Sequence, residues 1–203
     1  MKLIDYTLTD FNQKLASGSA TPGGGSVAGL GAGLCAGLVS MVVNLTKGDK
    51  LNKYGQKADK LRQQAEELID KDTESFNKVM AAYKMAKETE EDRKKRQAAI
   101  QAALKQASLT PMETMKLSLK LLKYGREVIE DCNPNTMSDV GVSAQMGLAA
   151  IKGGYYNVMI NACSLKDKET AADLKKEADK ILKEGKQLAA ELEEITLATF
   201  KNS

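Results

Sequence analysis

The sequence predicts an all-α fold: a bundle of long helices, forming a single domain over residues 1–203, with two central helices that are small-residue and charge-poor. Three observations predict it. Apolar residues recur at steps of three and four through most of the 203 residues, which is the spacing of one helix face. No run alternates with period two for long enough to need a strand. Two segments, 15–46 and 132–165, are almost free of charge, although 28% of all residues are charged. A helix that is apolar all round belongs inside a fold, so these two are expected at the centre with amphipathic helices wrapped around them.

The elements follow in order. A first helix is expected from about Leu8 to Ser17, with Thr7 as N-cap and Asp10 placed like the acid of a capping box. The Gly/Ser/Thr/Pro stretch from Ser17 to Gly25 interrupts it. A small-residue helix then runs to about Lys47, where Gly48 ends it. The next spans about Lys53 to Lys87 on the stripe Leu61, Ala65, Leu68, Phe76, Val79 and Tyr83. Another follows the charged segment ETEEDRKKR and reaches about Leu109, where Pro111 kinks or restarts it. Met112, Met115, Leu119, Leu122 and Ile129 continue the apolar face. Asn133–Thr136 contains Asn-Pro, a turn signal. Helices over about Met137–Ser164 and Asp167–Phe200 complete the bundle. The last carries Leu174, Ala178, Ile181, Leu188, Leu192 and Ile195 on one stripe.

Composition narrows the chemistry. There is no histidine and no tryptophan. A Ser-His-Asp triad, a Cys-His pair and any His-containing metal site are therefore impossible within the chain. Proton transfer near neutral pH falls to a carboxylate, Lys, Tyr, Cys or the substrate. Such groups need pKa values shifted by burial to work there. Thirty basic and twenty-seven acidic residues leave a net charge of +3, too little for a nucleic-acid protein, and aromatics for base stacking are scarce. Three widely spaced cysteines, Cys35, Cys132 and Cys163, form no disulfide framework. With no apolar signal-peptide core at the N-terminus, a cytoplasmic location is expected.

The first central helix has a stripe of its own. Ser26, Gly29, Gly33, Gly37, Ser40 and Asn44 follow at steps of three or four. Each glycine costs a helix about 1 kcal/mol against alanine, so close approach of another backbone or a flat ligand must compensate. A helix-packing or dimer seam explains the stripe without a ligand. The length and the GxxxG spacing also fit a membrane span. The segment lacks flanking aromatics and is rich in Gly and Ala rather than Leu, so no membrane partner is expected.

Four charges sit in apolar surroundings. Asp139 lies near the start of the second charge-poor helix, where Ser138 or Thr136 offers a cap and the acid complements the helix dipole. Lys152 is mid-helix. On one straight helix the two lie about 20 Å apart, so each needs a different partner: a neighbouring helix, a second subunit or a ligand. Asp72 falls on the apolar stripe between Leu68 and Phe76, and Glu113 follows Pro111 as a helix-start acid. Structural roles are available to all four. Asn157 and Asn161 share a helix face, suited equally to core hydrogen bonding and to ligand recognition. The segment Thr21 to Ser26, TPGGGS, leads into a helix whose N–H groups suit an anion. It has no P-loop lysine.

Taken together, TPGGGS opening a Gly/Ala helix that ends in VVNLT, then LTPMET, then SDVGVSAQMGLAAIKGGYYNVMIN resemble the cyclodeaminase/cyclohydrolase family. That family includes the cyclodeaminase domain of formiminotransferase-cyclodeaminase and stand-alone methenyltetrahydrofolate cyclohydrolases. The resemblance implies an all-helical homodimer acting on a folate, with no metal and no cofactor beyond the tetrahydrofolate substrate. Hydrolysis of 5,10-methenyltetrahydrofolate is expected, because the chain is too short to hold a transferase domain as well. Formiminotetrahydrofolate cyclodeaminase activity, with ammonia released, is the alternative. A non-catalytic helical dimer or interaction module is the second.

Within that resemblance Asp139 is expected to carry the main acid/base role, as the only carboxylate of its segment. Lys152 is expected to orient it across an interface or to meet substrate carboxylates. Asp72 stands as a further catalytic candidate. Thr21, Gly23, Gly24, Gly25, Ser26, Asn44, Glu113, Ser138, Asn157 and Asn161 are the expected substrate-binding residues.

Overall fold

The structure is a computed structural model that describes residues 1–201. Six α-helices follow a single 3-10 turn at Leu3–Asp5: α1 (Leu8–Ala16), α2 (Gly24–Asn44), α3 (Asn52–Tyr83), α4 (Glu90–Val128), α5 (Met137–Cys163) and α6 (Lys168–Lys201). A second 3-10 turn, Pro134–Thr136, leads into α5. Among the described residues there is no strand.

Local signals set most boundaries. Thr7 Oγ1 accepts the Asp10 N–H at 3.1 Å and donates to its carboxylate at 2.6 Å, which starts α1. Thr89 and Asp92 form a full capping box at the start of α4. The charged segment is therefore the first turns of α4 and not a connector before it. Gly48, at φ 88°, sits in the turn beyond α2, whose helix already ends at Asn44.

Pro111 neither ends nor restarts α4, which runs unbroken for 39 residues. A proline has no N–H, so the carbonyl four residues earlier, that of Ala107, loses its helical donor. Asn161 of α5 replaces it, donating Nδ2 to Ala107 O at 3.0 Å. Glu113 is therefore mid-helix and not a helix-start acid. It pairs with Lys71 of α3 at 2.6 Å.

The core has two parts. Met115 and Leu122 of α4, Ile151 and Val158 of α5 and Leu192 of α6 are sealed in the larger one. The smaller joins Ala32, Cys35, Ala36 and Val39 of α2 to Ala58, Ala65 and Leu68 of α3, with Leu117, Leu121 and Ala150. Burying each large aliphatic side chain contributes about 1.5–3 kcal/mol. On α3, Phe76 and Tyr83 depart from the expected stripe and are exposed.

The glycine stripe of α2 is a packing seam against α3. Ser26 Oγ donates to Ile69 O at 3.0 Å and Ser40 Oγ to Gly55 O at 3.3 Å. A Cβ on Gly29 would lie 3.2 Å from the Ile69 backbone nitrogen. On its other side α2 runs antiparallel to α5: Gly24 faces Asn157, and Gly31 faces Met146 and Ala150. α2 is long and apolar enough to cross a membrane, and half of its most apolar window is buried inside the bundle.

The two charge-poor helices are central but not enclosed. Leu34 of α2 is 50% exposed, and Tyr156 and Ile160 of α5 are 66% and 68% exposed. Val27 and Met41 on α2 and Val142 on α5 extend the same open face. Both helices carry few charges on any side, yet α3, α4 and α6 cover only part of the circumference.

Candidate active site

At the N-terminal end of α2 four helices leave a cavity of about 310 Å³. The loop before α2 supplies Thr21 and Gly23, and the first turn supplies Gly24 and Gly25. α3 supplies Asp72, Ser75 and Phe76, α4 supplies Ala107, and α5 supplies Asn157, Ile160 and Asn161.

Asp72 is the only charged group lining this cavity among the described residues. Its carboxylate packs flat on the start of α2. A Cβ on Gly25 would collide with both its oxygens, the farther at 2.7 Å, so any larger residue there has to displace the Asp72 side chain. Burial pushes the Asp72 pKa above the ordinary carboxylate range, and the hydroxyl and backbone N–H of Ser26 partly offset this. Ser26 Oγ is 3.2 Å from Asp72 Oδ2 and 3.0 Å from Ile69 O. Thr73 Oγ1 is also 3.4 Å away, so the one hydroxyl proton has three oxygens within reach. The hydroxyl can point to Ile69 when Asp72 is protonated and turn to Asp72 when it ionises.

The α5 asparagines and a hydroxyl pair complete the polar lining. Asn157 Nδ2 donates to Gly153 O at 2.8 Å. Ser75 Oγ lies 3.1 Å from Thr110 Oγ1, both residues being buried. The N-cap position of α2, Gly23, supplies no side-chain cap, so the first N–H groups of that helix are left to Asp72 and to whatever occupies the cavity.

Seven of the residues expected from sequence meet here: Thr21, Gly23, Gly24, Gly25, Asp72, Asn157 and Asn161, with Ser26 behind Asp72. The others lie elsewhere. Asn44 is the exposed last residue of α2. Ser138 and Asp139 are in the first turn of α5, at that same end of the bundle. Eighteen residues of helix separate Asp139 from Asn157, about 27 Å. Thr136 precedes α5 without a side-chain cap. Lys152 is half-buried on the open face of α5. Glu113 lines a different groove, between α3 and α4, with Lys71 and Lys116. Phe76, Ser75, Ala107 and Ile160 were not singled out from sequence for this site. Phe76 carried a signal, since it is one helical turn beyond Asp72. Among the described residues no three Cys, Asp or Glu side chains gather in a way that could hold a metal ion.

In this all-helical bundle a single half-buried carboxylate set against a glycine helix start, inside a cavity, marks a candidate small-molecule site. The family model described as formiminotransferase-cyclodeaminase matches residues 7–180, and the chain belongs to that family. It is 36% identical to the methenyltetrahydrofolate cyclohydrolase of Methylorubrum extorquens, over 88% of this chain and 89% of that one. It is 30% identical to the formimidoyltransferase-cyclodeaminase of Rattus norvegicus, over 93% of this chain but 36% of that longer protein. The crystal structure of formiminotetrahydrofolate cyclodeaminase from Thermotoga maritima shares the fold, with TM-score 0.85 and 24% identity over 97% of this chain and 98% of that one.

Proposed function

We propose that the chain hydrolyses 5,10-methenyltetrahydrofolate to 10-formyltetrahydrofolate in this cavity, with Asp72 as the acid/base and no resident cofactor. The observation that carries the reading is Asp72 itself, a half-buried carboxylate held on Gly25 and Ser26 inside the cavity. The similarity to a cyclohydrolase over nearly the whole chain supplies the substrate class.

The chemistry follows from the charges. The methenyl carbon is part of a cationic amidine. Ionised Asp72 stabilises that cation and removes a proton from the water that attacks the carbon. The C–O bond forms, and the resulting tetrahedral carbon holds both N5 and N10. Collapse breaks the bond to N5, which takes the proton back from Asp72, while the hydroxyl proton leaves as the formyl group forms on N10. Ser26 follows the carboxylate through both states. The same site supports the cyclodeaminase reaction, in which N10 attacks a formimino carbon on N5 and ammonia departs. The family model and the longer relatives favour keeping that reading as the alternative. Parallel assays with both substrates test the two: decay of methenyltetrahydrofolate absorbance against ammonia release. Acceleration of neither sinks the proposal.

The reading includes a homodimer joined over the open apolar face of α2 and α5, in the cytoplasm. Three free cysteines support a reducing compartment. Among the described residues neither Asp139 nor Lys152 has an ion pair or a side-chain hydrogen bond; Asp139 lies one turn before Val142 and Lys152 one turn before Tyr156. Antiparallel pairing over this face turns the Asp139 end of each subunit toward the cavity end of the other. That leaves Asp139 a role across the interface and Lys152 a role toward substrate carboxylates.

A further inference from the structure

Asn157 and Asn161 both line the cavity. Each ties its amide nitrogen to a backbone carbonyl, Gly153 O at 2.8 Å and Ala107 O at 3.0 Å. A carbonyl only accepts, so these bonds dictate which way each amide is turned. Each amide keeps its oxygen and one further N–H. Among the described residues neither Oδ1 receives a hydrogen bond, and neither is sealed in the interior. The Asp72 carboxylate adds a third acceptor. Among the described residues no lysine or arginine lines the cavity, and the Ser75 hydroxyl is engaged with Thr110. The two amide oxygens and the Asp72 carboxylate thus put three acceptors on one cavity, which suits a ligand edge that presents adjacent donors.

Resting on the folate reading above, we propose that Asn157 and Asn161 are the specificity residues of the site, their carboxamide oxygens accepting from the 2-amino and N3–H donors of the pterin. Asn161 is suited to this because its nitrogen fills the gap that Pro111 opens in α4. The proline thereby fixes the orientation of the reading group. A site whose acceptors wait for particular donors rejects an analogue lacking them, since those acceptors would be left unpaired.

The test uses the whole chain and two stable ligands, 5-formyltetrahydrofolate and its 2-desamino-2-methyl analogue, with both Kd values measured by calorimetry. Wild type is expected to prefer the amino ligand by about 10–100-fold. Asn157→Leu should cut that ratio by about fivefold or more, with the analogue's Kd changed less than about twofold. Asn161→Leu also orphans Ala107 O, so it is paired with Pro111→Ala, which restores a backbone N–H at that position; the N161L/P111A chain should lose preference in the same way. A purely structural role weakens both ligands together and leaves the ratio untouched. An unchanged ratio in N157L and N161L/P111A overturns the assignment, as does a wild type that binds both ligands equally; both outcomes leave the folate reading standing. A wild type that binds neither ligand overturns the folate reading as well.

Discussion

Gly25 and Asp72 meet with no room for a side chain between them: a methyl group on Gly25 would overlap the Asp72 carboxylate. Gly25→Ala must therefore push Asp72 away from Ser26 or part α2 from α3. Overpacking of this kind costs about 1–3 kcal/mol. A displaced catalytic group costs about 10²-fold in rate. The expected result is a folded protein by circular dichroism with methenyltetrahydrofolate turnover reduced about 10²-fold, and wild-type turnover would contradict the placement of Asp72.

Asp72→Asn removes the proton exchange and keeps the shape. Turnover should fall by about 10²–10⁴-fold. Stability should move the other way with pH. Because the fold raises the Asp72 pKa, the native state favours the protonated acid. That contribution is complete below the unfolded-state pKa and is lost as pH rises through the raised folded value. Asparagine does not titrate, so in urea unfolding the variant should gain on wild type as pH rises from the ordinary carboxylate range through the raised folded pKa. A gap that stays constant over this range would show that burial does not govern the group.

Ser26→Ala deletes the hydroxyl that favours ionised Asp72. The pKa should rise further, so the acid limb of the kcat/KM–pH profile should shift to higher pH, with the plateau less affected than in Asp72→Asn. A limb that stays put would remove Ser26 from the proton path.

Leu34 is half exposed on the open face of α2, so Leu34→Glu should spare the folded subunit and break a homodimer built there. Sedimentation is expected to show a dimer for wild type and a monomer for the variant. Mixing inactive Asp72→Asn and Asp139→Asn subunits tests the shared site. Recovery of about a quarter of wild-type activity is expected if each cavity needs the partner's Asp139 end, by the statistics of random two-fold pairing.

The cysteines should react in order of access. Burial pushes the Cys35 thiol up to about 12 and raises Cys132 as well, while Cys163 is exposed. Thiolate is the reactive form. Iodoacetamide at neutral pH should label Cys163 alone in the native protein, as read by mass spectrometry. Labelling of Cys35 without denaturant would mean that α2 opens readily.

The helices were legible because their signals are local. Thr7 with Asp10, the steps Leu61, Ala65, Leu68 and Val79 of α3 and those of α6 act over one or two turns, and the structure keeps them. The charge placed after Pro111 misled, because a proline usually breaks a helix. Here a side chain from another helix, Asn161, supplies the missing donor. The open face misled too: α2 and α5 carry few charges on any side, and the chain alone does not say which side a neighbour leaves bare.

The candidate site divides in the same way. The absence of histidine, the TPGGGS helix start, the α2 seam and the rarity of carboxylates in apolar surroundings are properties of the string of residues, and they restricted the acid/base group to a few named side chains. The string singles out Asp139 because it is the lone acid of a charge-poor segment. Only packing shows that the carboxylate lying on Gly25 is Asp72, 47 residues further on, brought there because α3 lies along the glycine seam of α2. Helix periodicity fixes which residues share a face, but a site assembled from four helices depends on how those faces are paired, and that pairing is settled by shape and burial across the whole bundle.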